Sequence, residues 1–511
     1  MEAAIAALVV VYLIWFWILN RHKPHLTNWP ILGMLPSFLI NVTRVHDFIT
    51  YLLQTNGHTI TIEGPWFSNF SLVFTSDPEN VHYILSKNFA NFNKGHDFKE
   101  IFENLGEGIL VADGDSWKMQ RKLSHSLFKN SNFLSLVEKC AEQKVQDGLF
   151  KILDHASESG LEVDMQDLFQ RFTFDVACIF MLGVDLNSLA LGLPEVPFTR
   201  AIDDLEETLL HRHFKPERLW KLQKWLRVGM EKKALKAAKT FNDFIYHQIA
   251  LKRELINNRK SSRNEEGDEK DEFDMISILM KEEAVMEKCN NGNNSTKAHD
   301  KFLRDSVMNI LSAGRDTSST ALTWFFWVVA TYPQVRSKLI QEIEAFFQMK
   351  PGDPWTFPSV SELNKLVYLH ATFCETLRLY TPVPFNHKAS VKADTLPSGH
   401  RVKQETKIMI SMYTMGRMEE IWGKDALVFR PERWISEKGS IIDMPSYKFN
   451  TFGAGPRLCV GKDLAFMEMK TVAAAIIWSY DLKIVTGHSV SLASSIILHM
   501  KNGLKVNVTK K

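Results

Sequence analysis

Residues Phe449 to Gly461 read FNTFGAGPRLCVG, and this stretch carries the strongest indication of the fold. Two glycines and a proline before Cys459 predict a tight, exposed turn. The segment that follows, DLAFMEMKTVAAAIIW, is predicted to form a helix from about Asp463. Amide groups at the start of a helix favour the thiolate form of a cysteine, and a thiolate binds soft or borderline metal ions. The stretch is therefore compatible with a metal-binding cysteine.

Two other interpretations of this turn have to be weighed. Gly453-Ala454-Gly455 is similar to a nucleotide-binding glycine turn, but it lacks the third glycine, the preceding strand and helix, and the acidic residue downstream. A lone cysteine in a glycine turn is more often inert than metal-binding. The loop taken alone leaves its function open.

A second unusual segment, AGRDTSST, lies inside a predicted helix that runs from Asp305 to Ala330. A glycine in a helix interior costs ~1 kcal/mol relative to alanine, and a run of hydroxyl residues weakens the helix further. Such a local conflict indicates a functional site. The alternative is that the serines and threonines simply hydrogen-bond back to the preceding turn.

Two pairs of residues have helical spacing. Glu375 and Arg378 are three positions apart, and Trp117 and Arg121 are four apart, so each pair shares one helix face. Either pair alone would be an ordinary solvated pair. The sequence FRPERW, residues 429–434, stands between the first pair and the cysteine.

Together these motifs resemble the cytochrome P450 family. The loop matches the pattern F-x-x-G-x-R-x-C-x-G, the long helix contains A-G-x-D/E-T, and the chain also has E-x-x-R, P-E-R-F/W and W-x-x-x-R. The motifs occur in the order and at the distances typical of the family. The resemblance covers essentially the whole chain.

The resemblance implies haem b (iron protoporphyrin IX) as the cofactor, with Cys459 as the axial ligand of the iron. The remaining residues implied to contact the haem are Arg457, Phe452, Gly453, Trp117, Arg121, Gly314 and Ala313. Arg457, Trp117 and Arg121 would hold the haem propionates.

The resemblance also implies catalytic and structural roles. Gly314 would let the helix open beside the iron, and Asp316 and Thr317 would relay protons to dioxygen. The residues expected to form a buried triad that supports the fold around the haem are Glu375, Arg378 and Arg433. We class these three as structural and not catalytic.

The periodicity predicts a mainly α fold with small β-sheets, which is the fold class of the resembled family. One helix is expected from Pro333, and another along Leu366, Leu369, Phe373 and Leu377. The expected strands are Lys407–Met412 and the segment near Ile496–Leu498. Two hydrophilic stretches, residues 259–272 and 289–297, are expected to be surface loops within one domain.

The overall composition excludes several classes of protein. A net charge of +2 does not suggest a nucleic-acid partner. The five cysteines are scattered and form no C-x-x-C pair, which argues against a disulfide framework or a structural zinc site. A reducing compartment fits best.

The N-terminus begins with an apolar run, AAIAALVVVYLIWFWIL, followed by Arg21, His22 and Lys23. As a helix this run spans roughly 26 Å, slightly short of a bilayer core. Its bulky end leaves no clear signal-peptide cleavage site, so we favour a retained anchor with its basic flank in the cytosol. The predicted organisation is a transmembrane anchor (1–20), a proline-rich hinge (21–37) and a catalytic domain (38–511) on the cytosolic face of the endoplasmic reticulum.

The segments TPVPFNHKA, LPSGHRV and YTMGRMEEIWG resemble a plant branch of alkane hydroxylases, close to fatty-acid omega-hydroxylases. This implies an NADPH-reductase-dependent monooxygenase that hydroxylates very-long-chain alkanes of cuticular wax at mid-chain, with possible oxidation onward to a ketone, or fatty acids at the omega carbon. The alternatives are a haem-thiolate isomerase or dehydratase of fatty-acid hydroperoxides, a phenol-coupling oxidase, and a non-enzymatic haem sensor.

Position in the family implies which residues contact a lipophilic substrate. They are Phe98, Phe102, Leu105, Ile310, Val383 and Ile496, each of which could equally be plain core. No flavin or nicotinamide motif is found, so electrons must come from a reductase. Four basic residues are hypothesised to dock it, although a solvated basic face is an equal alternative: Lys118, Lys122, Lys129 and Lys462.

Overall fold

The computed structural model describes residues 31–66, 71–261, 274–281 and 296–511, and near the N-terminus residues 11, 12, 14–16, 18 and 27–29. Most of the predicted anchor lies outside these residues, and so do residues 21–26 and 30 of the predicted hinge. So do most of the two hydrophilic stretches. Within the described part of the chain, none of the helices combines the length and apolar character needed to cross a membrane.

The described part of the chain is mainly helical, as the periodicity predicts. In chain order, the α-helices are α1 Leu35–Ile40, α2 Val45–Thr55, α3 Pro78–His82, α4 Gly95–Ile101, α5 Gly114–Phe128, α6 Ser131–Lys144, α7 Phe150–Ser159, α8 Met165–Leu182, α9 Pro197–Phe214, α10 Glu217–Leu226, α11 Gly229–Ser261, α12 Thr296–Thr331, α13 Pro333–Phe347, α14 Val360–Leu363, α15 Val367–Leu379, α16 Met412–Met415, α17 Glu419–Trp422 and α18 Lys462–Ser479.

Three small sheets complete the fold. The strands are β1 Thr59–Glu63, β2 Ser71–Thr75, β3 Phe92–Asn93, β4 Glu162–Asp164, β5 Phe385–Ser390, β6 Asp394–Thr395, β7 Arg401–Val402, β8 Lys407–Ser411, β9 Tyr480–Ile484 and β10 Lys505–Lys510. The largest sheet has the order β1-β2-β8-β5-β3, the second β4-β10-β9, and the third pairs β6 with β7. Only the β2–β8 pairing is parallel among the described strands.

Helix α12 is the central element of the fold. It packs against α8, α11, α13, α15 and α18. Phe325 of α12 stacks on Phe373 of α15 with ring centroids 4.2 Å apart, and Phe326 stacks on Phe169 of α8 at 5.2 Å. The predicted helix from Asp305 to Ala330 is therefore confirmed, and it is longer than predicted at its N-terminal end.

Of the two predicted strands, one is confirmed and one is wrong. Lys407–Ser411 is β8, and Met412 already begins α16. The segment near Ile496–Leu498 is a bend. Its backbone forms hydrogen bonds with other segments instead. The Leu498 amide donates to the Pro382 carbonyl at 2.8 Å, and the Trp324 indole donates to the Leu498 carbonyl at 2.7 Å. These contacts hold the segment against α12 and not in a sheet.

Glu375 lies at the centre of a buried polar network. Arg378 donates two hydrogen bonds to its carboxylate, at 2.7 and 2.8 Å. Arg433 approaches the same carboxylate at 3.4 Å, and the Trp434 indole donates to it at 2.9 Å. Arg378 also donates to the carbonyl of Ala426 at 2.6 Å. The network therefore fastens α15 to the 422–434 segment.

We expect Glu375→Ala to lower the free energy of unfolding by about 3–5 kcal/mol, because it leaves Arg378 buried without its counter-ion. Urea denaturation followed by circular dichroism measures the change. Lys151→Ala is the matched control, since Lys151 and Asp147 form an exposed ion pair of 3.0 Å that contributes less than about 1 kcal/mol. Equal stability of the two variants would contradict a supporting role for the network.

Candidate functional site

A large cavity lies inside the helical part of the fold. Its volume is about 480 Å³, and its walls come from α4, α5, α9, α12, β5 and the loop Phe449–Gly461. This volume falls within the range of roughly 300–1,000 Å³ that is typical of small-molecule sites.

The loop Phe449–Gly461 presents the thiol of Cys459 to this cavity. The Cys459 amide donates to the Phe452 carbonyl at 2.8 Å, and Gly461 is the residue that precedes α18. Gly455 has φ +63°, and a Cβ atom there would meet the Leu85 carbonyl oxygen at 1.9 Å. Only glycine therefore allows the loop to pass this close to the neighbouring backbone.

Burial raises the pKa of the Cys459 thiol above its ordinary value, although the Gly461 amide and the Arg121 guanidinium both act to lower it. The Gly461 amide at the start of α18 does favour the thiolate, as predicted, but the effect of burial on the pKa is larger. The other described cysteines, Cys140, Cys178 and Cys374, are buried as free thiols. Among the described cysteines, Cys459 alone is not classed as buried, and it lines the cavity.

Helix α12 forms another part of the wall through Ala313, Gly314 and Thr317. A Cβ atom added to Gly314 would meet nothing within 4 Å, so the helix faces open space there. The Thr317 hydroxyl donates to the carbonyl of Ala313, one turn earlier, at 2.7 Å. This is the hydrogen bond to the preceding turn that the sequence left open as the alternative to a functional role for the hydroxyl residues. Thr317 and Cys459 share one cavity.

Asp316 lies outside the set of residues that line the cavity. It is fully buried, and its carboxylate accepts a hydrogen bond of 2.6 Å from the Arg315 guanidinium. The structure thus separates the acid from the alcohol of the predicted relay: Thr317 faces the cavity, whereas Asp316 lies among other charged groups beside α9.

One edge of the cavity is strongly basic. Lys94, Arg121, Lys388 and Arg457 all line it, and Arg457 stacks over the Trp117 ring at 4.6 Å. The Nζ atom of Lys388 and the Nε atom of Arg457 have no hydrogen-bond partner within the described ranges of the chain.

The pKa values at this edge reflect the crowding of positive charge. Burial, reinforced by Arg457, lowers the pKa of Lys94 to about 7. Burial lowers the pKa of Arg457 to about 10, and burial together with Lys94 and Arg457 lowers the pKa of Lys388 well below its ordinary value. The nearby acidic group, Asp113, accepts from Arg457 at 2.8 Å. An anionic ligand would relieve this imbalance.

These features fit haem b. Cys459 would supply the thiolate that binds iron, and the buried cations at the basic edge would pair with the two propionates. The open space beside Gly314 leaves room for a flat ring system. The residues that could hold the cofactor are Cys459, Arg457, Arg121, Trp117, Lys94 and Lys388, with Gly314, Ala313, Phe452 and Gly453 along the cavity wall.

The structure brings the six predicted substrate-contact residues to one cavity. All of them line it: Phe98, Phe102, Leu105, Ile310, Val383 and Ile496. Phe98 and Phe102 stack with centroids 4.2 Å apart. Most of the wall is apolar.

The sequence interpretation missed several residues that line the cavity. They are Lys94, Leu205, Glu206, Leu209, His213 and Lys388. Lys388 occurs in the quoted segment TPVPFNHKA and is buried in β5. Because lysine is rarely buried without a partner, a lysine in an apolar strand could have indicated a binding site. The residues of α9 carry no motif, so their position facing α12 cannot be read from local spacing.

Comparisons with known proteins agree on one family. The family profile described as Cytochrome P450 matches residues 24–507. Alkane hydroxylase MAH1 of Arabidopsis thaliana is 44% identical over 490 residues, covering 96% of this chain and 94% of that protein. Cytochrome P450 86B1 of Arabidopsis thaliana is 36% identical, with 94% and 85% covered. Noroxomaritidine synthase of Narcissus aff. pseudonarcissus MK-2014 is 38% identical, with 95% and 91% covered.

We expect Lys388→Met to weaken retention of haem, because the substitution removes a buried cation that would pair with a propionate. A hydrogen bond to a charged group contributes roughly 1.5–3 kcal/mol, which corresponds to a loss rate about ten- to a hundredfold faster. Transfer of haem to apomyoglobin, followed by absorbance, measures the rate. Lys403→Met changes an exposed lysine directly after β7 and serves as the control. Haem loss at the same rate from both variants would contradict the assignment.

Proposed function

The chain belongs to the cytochrome P450 family of monooxygenases, and on that basis we propose that it hydroxylates very-long-chain alkanes at a mid-chain carbon. The observation that supports this most is the apolar cavity into which the Cys459 thiol opens. The similarity to a protein named alkane hydroxylase, which extends over 96% of the chain, supports the same substrate class.

The reaction of the family consumes one C–H bond, one dioxygen, two electrons and two protons, and yields an alcohol and water. Haem b, when bound, supplies the iron centre at which dioxygen is activated. Cys459 would bind the iron through its sulfur, and Arg121 and Arg457 would pair with the propionates. Thr317 would hold a proton at its hydroxyl within the cavity. The electrons come from NADPH through a reductase.

The distribution of charge favours an alkane over a fatty acid. A fatty-acid carboxylate needs a cation at the far end of the substrate space, but Lys94, Lys388 and Arg457 are grouped together beside Asp113. His213 also lines the cavity, but burial lowers its pKa to about 4, so it is neutral at physiological pH. Omega-hydroxylation of fatty acids is the second candidate, because Cytochrome P450 86B1 is also a relative.

We further propose that residues 1–20 anchor the chain in the endoplasmic reticulum membrane, with residues 21–37 as a hinge and residues 38–511 as the catalytic domain. In the described chain α1 begins at Leu35, so residues 35–37 of the proposed hinge are helical. Large apolar side chains are exposed on α1, on α10 and near Trp66. Residues of α1, β1 and the start of the α9–α10 connection line one shared recess, so these exposed side chains lie on neighbouring elements. That arrangement suits contact with a lipid surface.

We expect the full chain, co-expressed with a plant NADPH reductase, to convert n-alkanes to secondary alcohols with consumption of NADPH and dioxygen. Mass spectrometry of products from a panel of alkanes and fatty acids measures this. Cys459→Ser should abolish product and the red-shifted band of the reduced carbon-monoxide complex. Cys374→Ser, at a buried cysteine far from the loop in sequence, should preserve both.

Other products would overturn parts of the proposal. Conversion of fatty-acid hydroperoxides without NADPH would identify an isomerase or dehydratase. Coupled phenols would identify a phenol-coupling oxidase. No turnover of any lipid by a haem-loaded chain would favour a haem sensor. Exclusive oxidation of fatty acids at the omega carbon would replace the alkane with the second candidate.

We propose that a basic face around α5 and the start of α18 docks the reductase. Lys118, Lys122 and Lys129 are exposed on or just after α5, and Lys462 begins α18. The Phe128 ring lies about 4.0 Å from where a Cβ of Gly461 would be, so the two segments are neighbours. Positive charge on this face would attract an acidic partner.

We expect the double variant Lys122→Glu, Lys129→Glu to lower reductase-driven turnover at low ionic strength. The difference should shrink in high salt, because salt screens exposed charges. Turnover at several reductase concentrations measures the effect. Lys501→Glu reverses an exposed charge on the C-terminal loop as a control. Unchanged turnover of the double variant at low salt would exclude this face.

A further inference from the structure

A group of charged side chains, four of them buried and one exposed, lies between α9, α12 and the C-terminal loop. We call it the buried charge cluster; it consists of Asp203, Glu206, Arg315, Asp316 and His499. One ligand-type atom from each of Glu206, Asp316 and His499 lies within 4.8 Å of the others. Of these five residues only Asp316 belongs to the predicted relay, so the cluster requires its own explanation.

The imidazole of His499 links Glu206 to the central helix. Its Nε2 atom lies 2.9 Å from the Glu206 carboxylate, and its Nδ1 atom lies 3.1 Å from the Thr320 hydroxyl. The Ser495 hydroxyl donates to the same Glu206 oxygen at 3.3 Å. All four side chains are at least nine-tenths buried. Such a chain of hydrogen bonds can hold and pass a proton.

Arg315 holds two carboxyl groups at the other side of the cluster. It donates to Asp316 at 2.6 Å and to Asp203 at 3.3 Å. The second carboxylate oxygen of Asp316 has no hydrogen-bond partner in the described part of the chain, although Asp316 is completely buried. An unpartnered oxygen in a buried site is costly unless it carries or receives a proton.

The charges within the cluster and its burial favour the protonated forms of Asp316 and His499. Three carboxyl groups face one guanidinium and one imidazole. Burial raises the pKa of Asp316 well above its ordinary value despite the opposing effect of Arg315. Burial acts to lower the pKa of His499, but Glu206 together with Asp316 and Asp203 outweighs it, and the pKa is raised. Both shifts favour the protonated forms at neutral pH.

A divalent metal ion is the alternative occupant of the same carboxylates and imidazole. The Arg315 guanidinium already lies 2.6 Å from Asp316, and both ring nitrogens of His499 are already engaged. A metal ion would therefore approach a fixed positive charge, and binding it through His499 would break one of these two hydrogen bonds. The protein already supplies the positive charge that the carboxylates need, so proton storage is the better explanation.

The two ends of the cluster reach different environments. The side chain of Asp203 is 55% exposed, so it can exchange protons with solvent. Glu206 lines the same cavity as Thr317, whereas Asp316 does not. Arginine stays charged and does not relay protons itself. Arg315 instead keeps the Asp203 and Asp316 carboxyl groups close together.

We propose that Glu206 and His499 form an accessory proton relay, which takes protons from Asp203 and Asp316 and delivers them to the cavity near Thr317. This inference rests on the proposed monooxygenase reaction. In each turnover two protons from solvent and two electrons from NADPH convert one oxygen atom of dioxygen to water, and the other atom enters the C–H bond. Glu206 and His499 are assigned to proton transfer and positioning.

The test compares two ways of driving the same hydroxylation in the full haem-loaded chain. With reductase and NADPH the reaction needs two protons. With iodosylbenzene it needs none, because the oxygen atom passes to the C–H bond and iodobenzene leaves. We expect Glu206→Gln to lower NADPH-driven product formation on the order of tenfold or more. The NADPH consumed should appear as hydrogen peroxide, and the solvent deuterium isotope effect should increase.

Iodosylbenzene-driven product formation by Glu206→Gln should stay within about twofold of the unchanged protein, since general acid catalysis is not required. Glu207→Gln is the matched control, because Glu207 is the next residue of α9 and is exposed. Glu206→Asp should restore part of the NADPH-driven rate. Thr320→Val removes the hydroxyl beside His499 and should increase peroxide release as a second, independent variant.

A parallel loss of both reactions in Glu206→Gln, or unchanged coupling of NADPH to product in Glu206→Gln and Thr320→Val, would overturn the accessory relay. Failure of the unchanged protein to hydroxylate with either oxidant would instead overturn the proposed function. The two failures are therefore distinguishable.

Discussion

Lys94, Lys388 and Arg457 meet at one edge of the central cavity, where Asp113 is the acidic group beside them. Burying a cation costs several kcal/mol unless an opposite charge accompanies it. The polypeptide alone leaves part of this cost uncompensated, because Lys388 and Arg457 retain nitrogen atoms without a hydrogen-bond partner in the described chain. The propionates of haem b would supply the missing negative charge, so cofactor binding and stability of the fold are expected to be coupled.

The other buried charges are arranged differently. Around Glu375 every strong donor and acceptor of the pair is engaged: Arg378 and the Trp434 indole bond the carboxylate, and Arg378 also reaches backbone carbonyls. A network in which every polar group is hydrogen-bonded joins two segments rigidly and is not suited to proton exchange. The buried charge cluster leaves one oxygen of Asp316 unpartnered and opens to solvent at Asp203. The fully hydrogen-bonded network around Glu375 supports the fold, whereas the incompletely hydrogen-bonded cluster is suited to proton transfer.

Helix α12 serves both purposes within one turn. Gly314 and Thr317 face the cavity, and Arg315 and Asp316 face the charged cluster. The weak helix formers in AGRDTSST are tolerated because α12 is packed on several sides by other helices, which supply stability that the local sequence lacks. The weak helix formers therefore lie where α12 forms the wall of the cavity.

Local spacing was enough to predict the elements whose partners lie nearby in the chain. Glu375 and Arg378 share a helix face three residues apart, and the turn before Cys459 follows from its own glycines and proline. Family resemblance supplied the haem and the broad reaction. Neither source could place His499 against Glu206, because 293 residues separate them and no periodic pattern links them. The bend near Ile496 was misjudged for the same reason: its hydrogen bonds go to Pro382 and Trp324, which are distant in sequence, and only the packed chain brings them together.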